Sequence, residues 1–163
     1  MRRLLDTAIS SVRRIATELR PLILDDLGFG EAVSWQTGEF AKRSGLKIKL
    51  DLEAAGLVRD DALATALFRI VQESLTNIAR HANATEVTVR LAVDADNPVL
   101  TVSDDGKGLA DEARHGSGIG LVSMRERATA LGGQLTIISS PGGGTTIEVT
   151  LPLDLPVLSG DKA

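Results

Sequence analysis

The chain of 163 residues contains no cysteine and no tyrosine, and its aromatic residues are one tryptophan and three phenylalanines. Without cysteine there is no disulfide framework and no thiolate zinc site. So few aromatic side chains leave no platform on which single-stranded nucleic acid could stack its bases. The 18 basic and 22 acidic residues are mixed along the chain, so the formal charge of -4 gives no sequence-wide attraction to nucleic acid or anionic lipid.

A long hydrophobic run is also missing. No apolar stretch approaches the roughly 20 residues that a membrane helix needs, and Asp6 and Thr7 interrupt a start that otherwise resembles a signal peptide. We therefore expect a soluble, cytoplasmic chain with no nucleic-acid partner and no direct membrane contact. With 43% hydrophobic residues, a chain of this length can bury one good core, which favours a single domain with an appendage.

The hydrophobic pattern predicts both helices and strands. Apolar residues that recur every three or four positions predict helices at residues 2–20, 31–42, 62–81 and 121–131. Alternating apolar and polar residues predict strands at residues 47–53, 86–93, 99–103, 135–139 and 145–151. These elements interleave without a strict β-α-β period. The pattern therefore favours an α+β fold, a two-layer α/β sandwich with helices on one face of a sheet, preceded by an amphipathic N-terminal helix.

The third predicted helix places polar side chains along one face. Arg69, Glu73 and Asn77 follow one another at four-residue steps, and either Arg80 or His81 continues the row. The row is either the solvated face of a surface helix or part of a ligand-binding site. A solvated face does not require Asn, a mediocre helix former. An Asn and a Glu one turn apart can coordinate Mg²⁺, while Arg80 can meet a phosphate.

A second motif follows the strand predicted at residues 99–103. Asp104 ends this strand, and Asp105, Gly106, Lys107 and Gly108 come next. A carboxylate at a strand end can accept a hydrogen bond from the exocyclic amine of adenine, and two glycines let the backbone approach a ring and turn sharply. The alternative interpretation is an ordinary Asp-Gly turn.

Two further glycine-rich segments complete the set. The first, from Gly116 to Gly120, precedes the helix predicted to begin at Leu121 and offers backbone N–H groups and a helix N-terminus to an anion. Leu121 occupies the third glycine position of a dinucleotide fingerprint, and no P-loop pattern is present. The second segment, a glycine triplet before Thr145, is typical of a hairpin turn. The Thr145 hydroxyl could assist Asp104 in holding adenine, directly or through water.

In this order, the four segments resemble the N, G1, G2 and G3 boxes of the ATP-binding domain of sensor histidine kinases, in the GHKL ATPase superfamily. Their sequences are QESLTN at 72–77, DDGKG at 104–108, GSGIG at 116–120 and GGGT at 142–145. Residues 68–82 and 118–128 are similar to the nitrate-sensor and DesK-like subfamily. Residues 18–28 resemble the junction between the dimerisation helix and the ATPase domain in that subfamily.

The resemblance implies a Bergerat fold that binds ATP and Mg²⁺ and donates the γ-phosphate to a histidine on a dimerisation helix. A homodimeric parent kinase would then relay the phosphate to a response regulator. The resemblance implies catalytic and metal-binding roles for Glu73 and Asn77. Glu73 matches the water-activating base of related ATPases, and in a kinase it would support Mg²⁺ or the transferring phosphoryl group. The residues implied to bind the nucleotide are Asn77, Arg80, His81, Asp104, Gly106, Gly108, Gly116, Gly118, Ile119, Gly120, Leu121 and Thr145.

The resemblance also divides the chain and exposes two departures from the family pattern. Residues 1–27 would be a remnant of the dimerisation helix and junction, residues 28–153 the catalytic domain, and residues 154–163 a C-terminal tail. Asp105 stands where the family usually has Asn, which predicts an extra negative charge beside the nucleotide. No histidine precedes His81, so the phospho-accepting histidine is missing and we expect no self-phosphorylation.

Two alternative functions remain at the level of sequence. An anti-sigma-factor-type serine kinase shares the N box, but the amphipathic helix at residues 2–20 and the Leu-Arg-Pro junction argue against it. The other alternative is a nucleotide-switched interaction module without kinase activity.

Overall fold

The computed structural model describes Leu4, residues 21–110 and residues 118–152. Apart from Leu4, the amphipathic helix predicted at residues 2–20 lies outside the described residues. So do residues 111–117, which include His115 and Gly116, and the predicted tail at residues 154–163. The described helices are α1 (Leu22–Ser44), a 3-10 turn (Ala55–Leu57), α2 (Asp61–Asn77), a π turn (Ile78–Ala82) and α3 (Ile119–Ala130). The strands are β1 (Lys47–Asp51), β2 (Glu86–Asp94), β3 (Asn97–Asp104), β4 (Gln134–Ser139) and β5 (Thr145–Thr150).

The five strands form one mixed sheet in the order β1-β2-β3-β5-β4. β1 runs parallel to β2, and the other neighbouring pairs are antiparallel. Every second residue is buried along β3, in β5 at Ile147 and Val149, and in β2 as far as Leu91, after which Ala92 is buried and Val93 is exposed. A sheet that buries one face only is covered by helices on that face only. The predicted two-layer α/β sandwich is therefore confirmed.

The core lies between the buried face of the sheet and the helices, with α2 at its centre. The apolar face of α2 is wholly buried through Leu63, Leu67, Phe68, Ile70, Val71 and Leu75. The N-terminus of α2 is fixed by Asp60, whose carboxylate accepts a 2.8 Å hydrogen bond from the Leu63 backbone N–H. This packing holds the opposite, polar face of α2 in a fixed position.

Helix α1 is longer than the sequence pattern predicts, and it is broken once. Gly28 has φ 76° and ψ 172°, which are not helical, so the helix continues past it in a new direction. The helix ends at Ser44, and Gly45, which follows it, has φ 75° and donates its N–H to the Ala41 carbonyl. Leu24, before the break, is 3% exposed and belongs to the core.

The helix predicted at residues 62–81 is not a continuous α-helix. The α-helix ends at Asn77, and residues 78–82 form a π turn that stops at Asn83 in the left-handed conformation. A π turn rotates the following side chains relative to those of the preceding α-helix. It also leaves the Ala82 carbonyl to accept a 2.8 Å hydrogen bond from the Lys107 N–H, which ties α2 to the turn after β3.

The connection between β2 and β3 is shorter than the five residues, 94–98, that separate the two predicted strands. Ala95 and Asp96 form a two-residue turn with φ 45° and 70°, while Asn97 and Pro98 already belong to β3. Two positive φ angles match the twist of the flanking strands and allow this tight connection.

Candidate functional site

A continuous cleft runs between α1, α2, α3, the turn that follows β3 and the start of β5. It consists of an inner cavity of about 470 Å³ and an outer cavity of about 1130 Å³. Asn77, His81, Gly118 and Gly120 line both cavities. Because the two cavities share these walls, one elongated ligand can occupy both.

The structure brings most of the predicted site residues to this cleft. The inner cavity is lined by Asn77, His81, Asp104, Gly108, Gly118, Gly120, Leu121 and Thr145, and the outer one by Glu73, Asn77, Arg80, His81, Gly118, Ile119 and Gly120. Gly106 lines neither cavity, but its backbone N–H donates a hydrogen bond to the Asp104 carboxylate. Gly116 lies outside the described residues.

The inner cavity has a buried acid in its wall. Asp104, the last residue of β3, is 8% exposed, and its Oδ1 accepts a 2.8 Å hydrogen bond from the Gly106 N–H. Burial raises the pKa of Asp104, and hydrogen bonds from the Gly106 and Thr145 backbone N–H groups oppose this rise. Within a cavity whose walls are mostly apolar, this side chain is a fixed hydrogen-bond acceptor for a ligand.

Glycines hold the turn around Asp104 in place because they permit close backbone approach. A Cβ at Gly106 would overlap the Ala82 carbonyl, and a Cβ at Gly108 (φ 76°) would overlap the Ser140 carbonyl. On the other side, the Gly142 N–H donates a 2.8 Å hydrogen bond to the Lys107 carbonyl. The turn after β3 is therefore clamped between the π turn and the β4–β5 hairpin.

Glu73 and Asn77 line the outer cavity one helical turn apart, as the sequence predicts. Gly120 packs against Glu73 so closely that an added Cβ would overlap the Glu73 carboxylate. Among the described residues that line this cavity, Glu73 is the one acid. Its carboxylate and the Asn77 amide are both oxygen donors of the kind that hard cations bind.

Four arginines line the outer cavity: Arg43, Arg69, Arg80 and Arg127. Arg69 donates a 2.9 Å hydrogen bond to the Gln72 amide oxygen, and burial together with the charge of Arg127 lowers its pKa. Of these four, only Arg69 and Arg80 belong to the helix face that the sequence predicts. Arg43 and Arg127 belong to α1 and α3 and reach the cavity only through tertiary packing. The outer end of the cleft is consequently suited to an anion.

The N-terminus of α3 faces the junction of the two cavities. The helix begins at Ile119, two residues before the predicted start, and Gly118 at its N-cap makes no side-chain cap hydrogen bond. Gly118 and Gly120 line both cavities. The first N–H groups of the helix have no partner within the helix, and such groups attract anions.

Asp105 does not contribute to the described walls of the cleft. Its carboxylate accepts hydrogen bonds from the Thr85 hydroxyl (2.6 Å), the Thr85 N–H (2.8 Å) and the Glu86 N–H (2.9 Å). The charge that we expected beside a nucleotide is thus directed to the start of β2 instead. The reason is the pairing of β2 with β3, which places Asp105 next to Thr85 and Glu86.

These hydrogen bonds predict an acid sensitivity of the fold. Donation by the Thr85 hydroxyl, and then by the Glu86 and Thr85 N–H groups, lowers the pKa of Asp105 from 3.8 to about 2. Because the pKa is lower in the folded state, the stabilisation is present above about pH 4 and is lost as the pH falls towards 2. We expect Asp105→Asn to flatten this part of the stability profile, measured by urea unfolding at each pH. Asp96→Asn, in the exposed β2–β3 turn, is the control; an unchanged profile for Asp105→Asn would contradict the assignment.

Comparison with known proteins agrees with this geometry. The sequence model of the family described as "Histidine kinase-, DNA gyrase B-, and HSP90-like ATPase" matches residues 62–155. The chain is 37% identical over 151 residues to the sensor histidine kinase MctS of Rhizobium johnstonii and 37% identical over 146 residues to the sensor histidine kinase LiaS of Bacillus subtilis. These matches cover 91% and 90% of this chain but 32% and 40% of the relatives. The chain therefore spans well under half the length of the curated relatives that it matches.

Solved structures share the fold. The histidine kinase domain of the Erythrobacter litoralis EL346 blue-light activated histidine kinase matches 82% of this chain and 66% of its own length, with a TM-score of 0.65 and 20% identity. The Acinetobacter baumannii histidine kinase AdeS matches 76% of this chain and 62% of its own, with a TM-score of 0.61 and 17% identity. Within the described part of the chain, no helix has the length and apolar character required to cross a bilayer.

Proposed function

The chain belongs to the family of histidine kinase-, DNA gyrase B- and HSP90-like ATPases and carries the catalytic ATPase domain of a sensor histidine kinase, and from this premise we propose that it binds Mg-ATP and donates the γ-phosphate to a histidine on a dimerisation helix. The observation that carries the proposal is the two-part cleft. Its inner cavity has a buried acid, and its outer cavity has Glu73, Asn77 and four arginines.

Adenine fits the inner cavity. The Asp104 carboxylate accepts a hydrogen bond from the exocyclic amine, and Thr145 lies beside it in the same wall. Apolar side chains such as Ile78, Val102 and Ile147 face the ring. Gly108 lines the same cavity, and glycine is required there because a side chain would overlap the Ser140 carbonyl.

The phosphates fit the outer cavity. Arg80 and the N-terminal N–H groups of α3 offer donors to the phosphate oxygens. Arg43, Arg69 and Arg127 extend the positive charge along the same wall. Phosphoryl transfer depends chiefly on positioning and charge stabilisation, and these fixed donors supply both.

The oxygen donors of the outer cavity fit Mg²⁺. Among the described residues no three His, Cys, Asp or Glu side chains cluster as ligands for a metal ion. Mg²⁺ bound with nucleotide typically takes only one or two protein ligands and completes its shell with phosphate and water. Asn77 would hold the ion, with Glu73 supporting it. Bound Mg-ATP supplies the transferable phosphoryl group, and the chain's own residues orient it.

The acceptor and the later steps belong to the whole protein. We propose that the acceptor histidine lies on the dimerisation helices of a homodimeric parent kinase, that a response regulator receives the phosphate, and that the domain works in the cytoplasm, where ATP is available. Glu73 would steady Mg²⁺ or the transferring phosphoryl group rather than activate a water.

Transfer in trans tests the proposal. The chain is incubated with Mg²⁺, γ-labelled ATP and the dimerisation segment of a similar kinase such as LiaS. We expect alkali-stable, acid-labile label on the added segment, and none on this chain alone. Asn77→Ala should reduce the rate about a hundredfold because the phosphates lose their alignment. Asn97→Ala, in the exposed β2–β3 hairpin, is the matched control.

Other outcomes would identify the alternatives. Acid-stable label on serine would indicate a serine kinase. Tight ATP binding with no transfer to any supplied dimerisation segment would instead indicate a nucleotide-switched interaction module.

A further inference from the structure

Ser139, the last residue of β4, contacts three groups around the inner cavity without lining it. Its Oγ accepts a 2.8 Å hydrogen bond from the Leu109 N–H and lies 3.0 Å from both the Gly144 carbonyl oxygen and the Thr145 Oγ1. Of these three neighbours, Leu109 and Thr145 line the cavity, and Thr145 pairs with Asp104 at the end of the β3–β5 ladder. Ser139 therefore acts on the cavity only through its neighbours.

The chemistry of these groups fixes the direction of each hydrogen bond. A carbonyl oxygen can only accept, so the single Ser139 hydroxyl proton goes to Gly144. The Ser139 oxygen then accepts from both the Leu109 N–H and the Thr145 hydroxyl. The reverse direction, with Ser139 donating to Thr145, would leave two oxygen lone pairs facing each other at the 3.0 Å contact with Gly144. One arrangement alone satisfies all three contacts.

In that arrangement the Thr145 proton is committed to Ser139. The Thr145 oxygen can then offer the cavity only its lone pairs, and the neighbouring Asp104 carboxylate is also an acceptor. We propose that Ser139 is a positioning residue that makes Thr145 a pure acceptor and thereby favours a 6-amino purine over a 6-oxo purine. This inference rests on the proposed function, since it concerns the base of the same nucleotide.

The preference follows from what the purine presents at position 6. An amino group can donate to Asp104 and to Thr145, whereas an oxo group meets only lone pairs at Thr145. If Ser139 loses its hydroxyl, the Thr145 hydroxyl can rotate and donate to an oxo group. Part of the discrimination should then disappear, by roughly the worth of one hydrogen bond, which is about three- to tenfold in relative affinity.

The test compares the dissociation constants of ATP and ITP, which carry an amino and an oxo group at position 6, by calorimetry with Mg²⁺. We expect the unsubstituted chain to favour ATP, and Ser139→Ala to lower the ITP-to-ATP ratio of dissociation constants about three- to tenfold. Ser103→Ala is the matched control. It removes a serine from another serine–threonine hydroxyl pair in the same sheet, since Ser103 Oγ lies 2.8 Å from Thr146 Oγ1, and it should leave the ratio unchanged.

Thr145→Val supplies a second, independent test of the inference. Removing the acceptor should lower the ratio as well, and adding Ser139→Ala to it should change the ratio no further, because Ser139 acts through Thr145. If Ser139→Ala weakens both nucleotides equally, or if the two substitutions act additively on the ratio, the inference is wrong. If Ser139→Ala fails to fold, an unchanged ratio in Thr145→Val alone overturns it.

The two proposals fail in different ways. A preference for ATP in the unsubstituted chain that Ser139→Ala leaves unchanged would overturn the role of Ser139 and leave the proposed function standing. Binding of neither nucleotide would overturn both.

Discussion

Asp104→Ala is expected to remove about half or more of the stabilisation that adenine nucleotide gives the domain. At a nucleotide concentration 100-fold above the dissociation constant, binding stabilises the folded state by about 2.7 kcal/mol. Loss of a hydrogen bond to a charged group costs about 1.5–3 kcal/mol, which weakens binding by roughly tenfold to a hundredfold. At the same nucleotide concentration, a hundredfold weaker variant would keep only about 0.4 kcal/mol.

The physical reason is the position of the carboxylate. Asp104 is 8% exposed at the end of β3, and its Oδ1 is held by the Gly106 N–H. Water is largely excluded there, so solvent replaces the lost acceptor poorly. The shift of the unfolding midpoint with added Mg-ATP measures the effect directly.

The neighbouring residue is the natural control. Asp105→Ala removes hydrogen bonds to Thr85 and Glu86 but no described wall of the cleft. We expect it to lower the stability of the nucleotide-free domain and to keep the dissociation constant within about twofold, well below the worth of one hydrogen bond to a charged group. Equal losses of nucleotide affinity in both variants would contradict the assignment of the inner cavity to adenine.

Much of the fold was predictable because its patterns are local. The alternation in β2 depends on residues two positions apart, and the structure buries Val87, Val89 and Leu91 accordingly, although Val93 at the end of the strand is exposed. The placement of Glu73 and Asn77 on one helix face was equally predictable, since a helix places residues four positions apart on one face. The π turn at residues 78–82 was not predictable, because it depends on a tertiary contact between Ala82 and Lys107.

The parts of the site that sequence reasoning missed are assembled by topology. Arg43 and Arg127 stand 84 positions apart, at the end of α1 and in α3, and only helix packing brings them to one cavity. Ser139 ends a strand with no motif of its own and gains its contacts from strand pairing with Thr145. Asp105 was assigned to the site by its place in a motif, but the β2–β3 register directs it elsewhere.

The glycine triplet carries the second large expected effect. Gly144 has φ 75°, and a Cβ there would overlap the Asp104 carbonyl oxygen and lie 2.9 Å from its carbon. Gly142 has φ 71° in the same turn, but nothing lies within 4 Å of its Cβ position. Both Ala substitutions force a side chain into a left-handed conformation, which costs about 1–2 kcal/mol. Only Gly144→Ala adds an overlap with backbone.

We therefore expect Gly142→Ala to lower the free energy of unfolding by about 1–2 kcal/mol and Gly144→Ala to lower it by a further 1–3 kcal/mol or so, the usual cost of overpacking. The overlap falls where Asp104 pairs with Thr145 at the end of the β3–β5 ladder. Relieving it must move the backbone of the residue assigned to adenine, so Gly144→Ala should also bind Mg-ATP more weakly than Gly142→Ala does. Urea unfolding at constant slope measures the first effect, and calorimetry measures the second. Equal destabilisation by the two substitutions would mean that the turn can shift away from Asp104 without cost, and that the triplet does not fix the inner cavity.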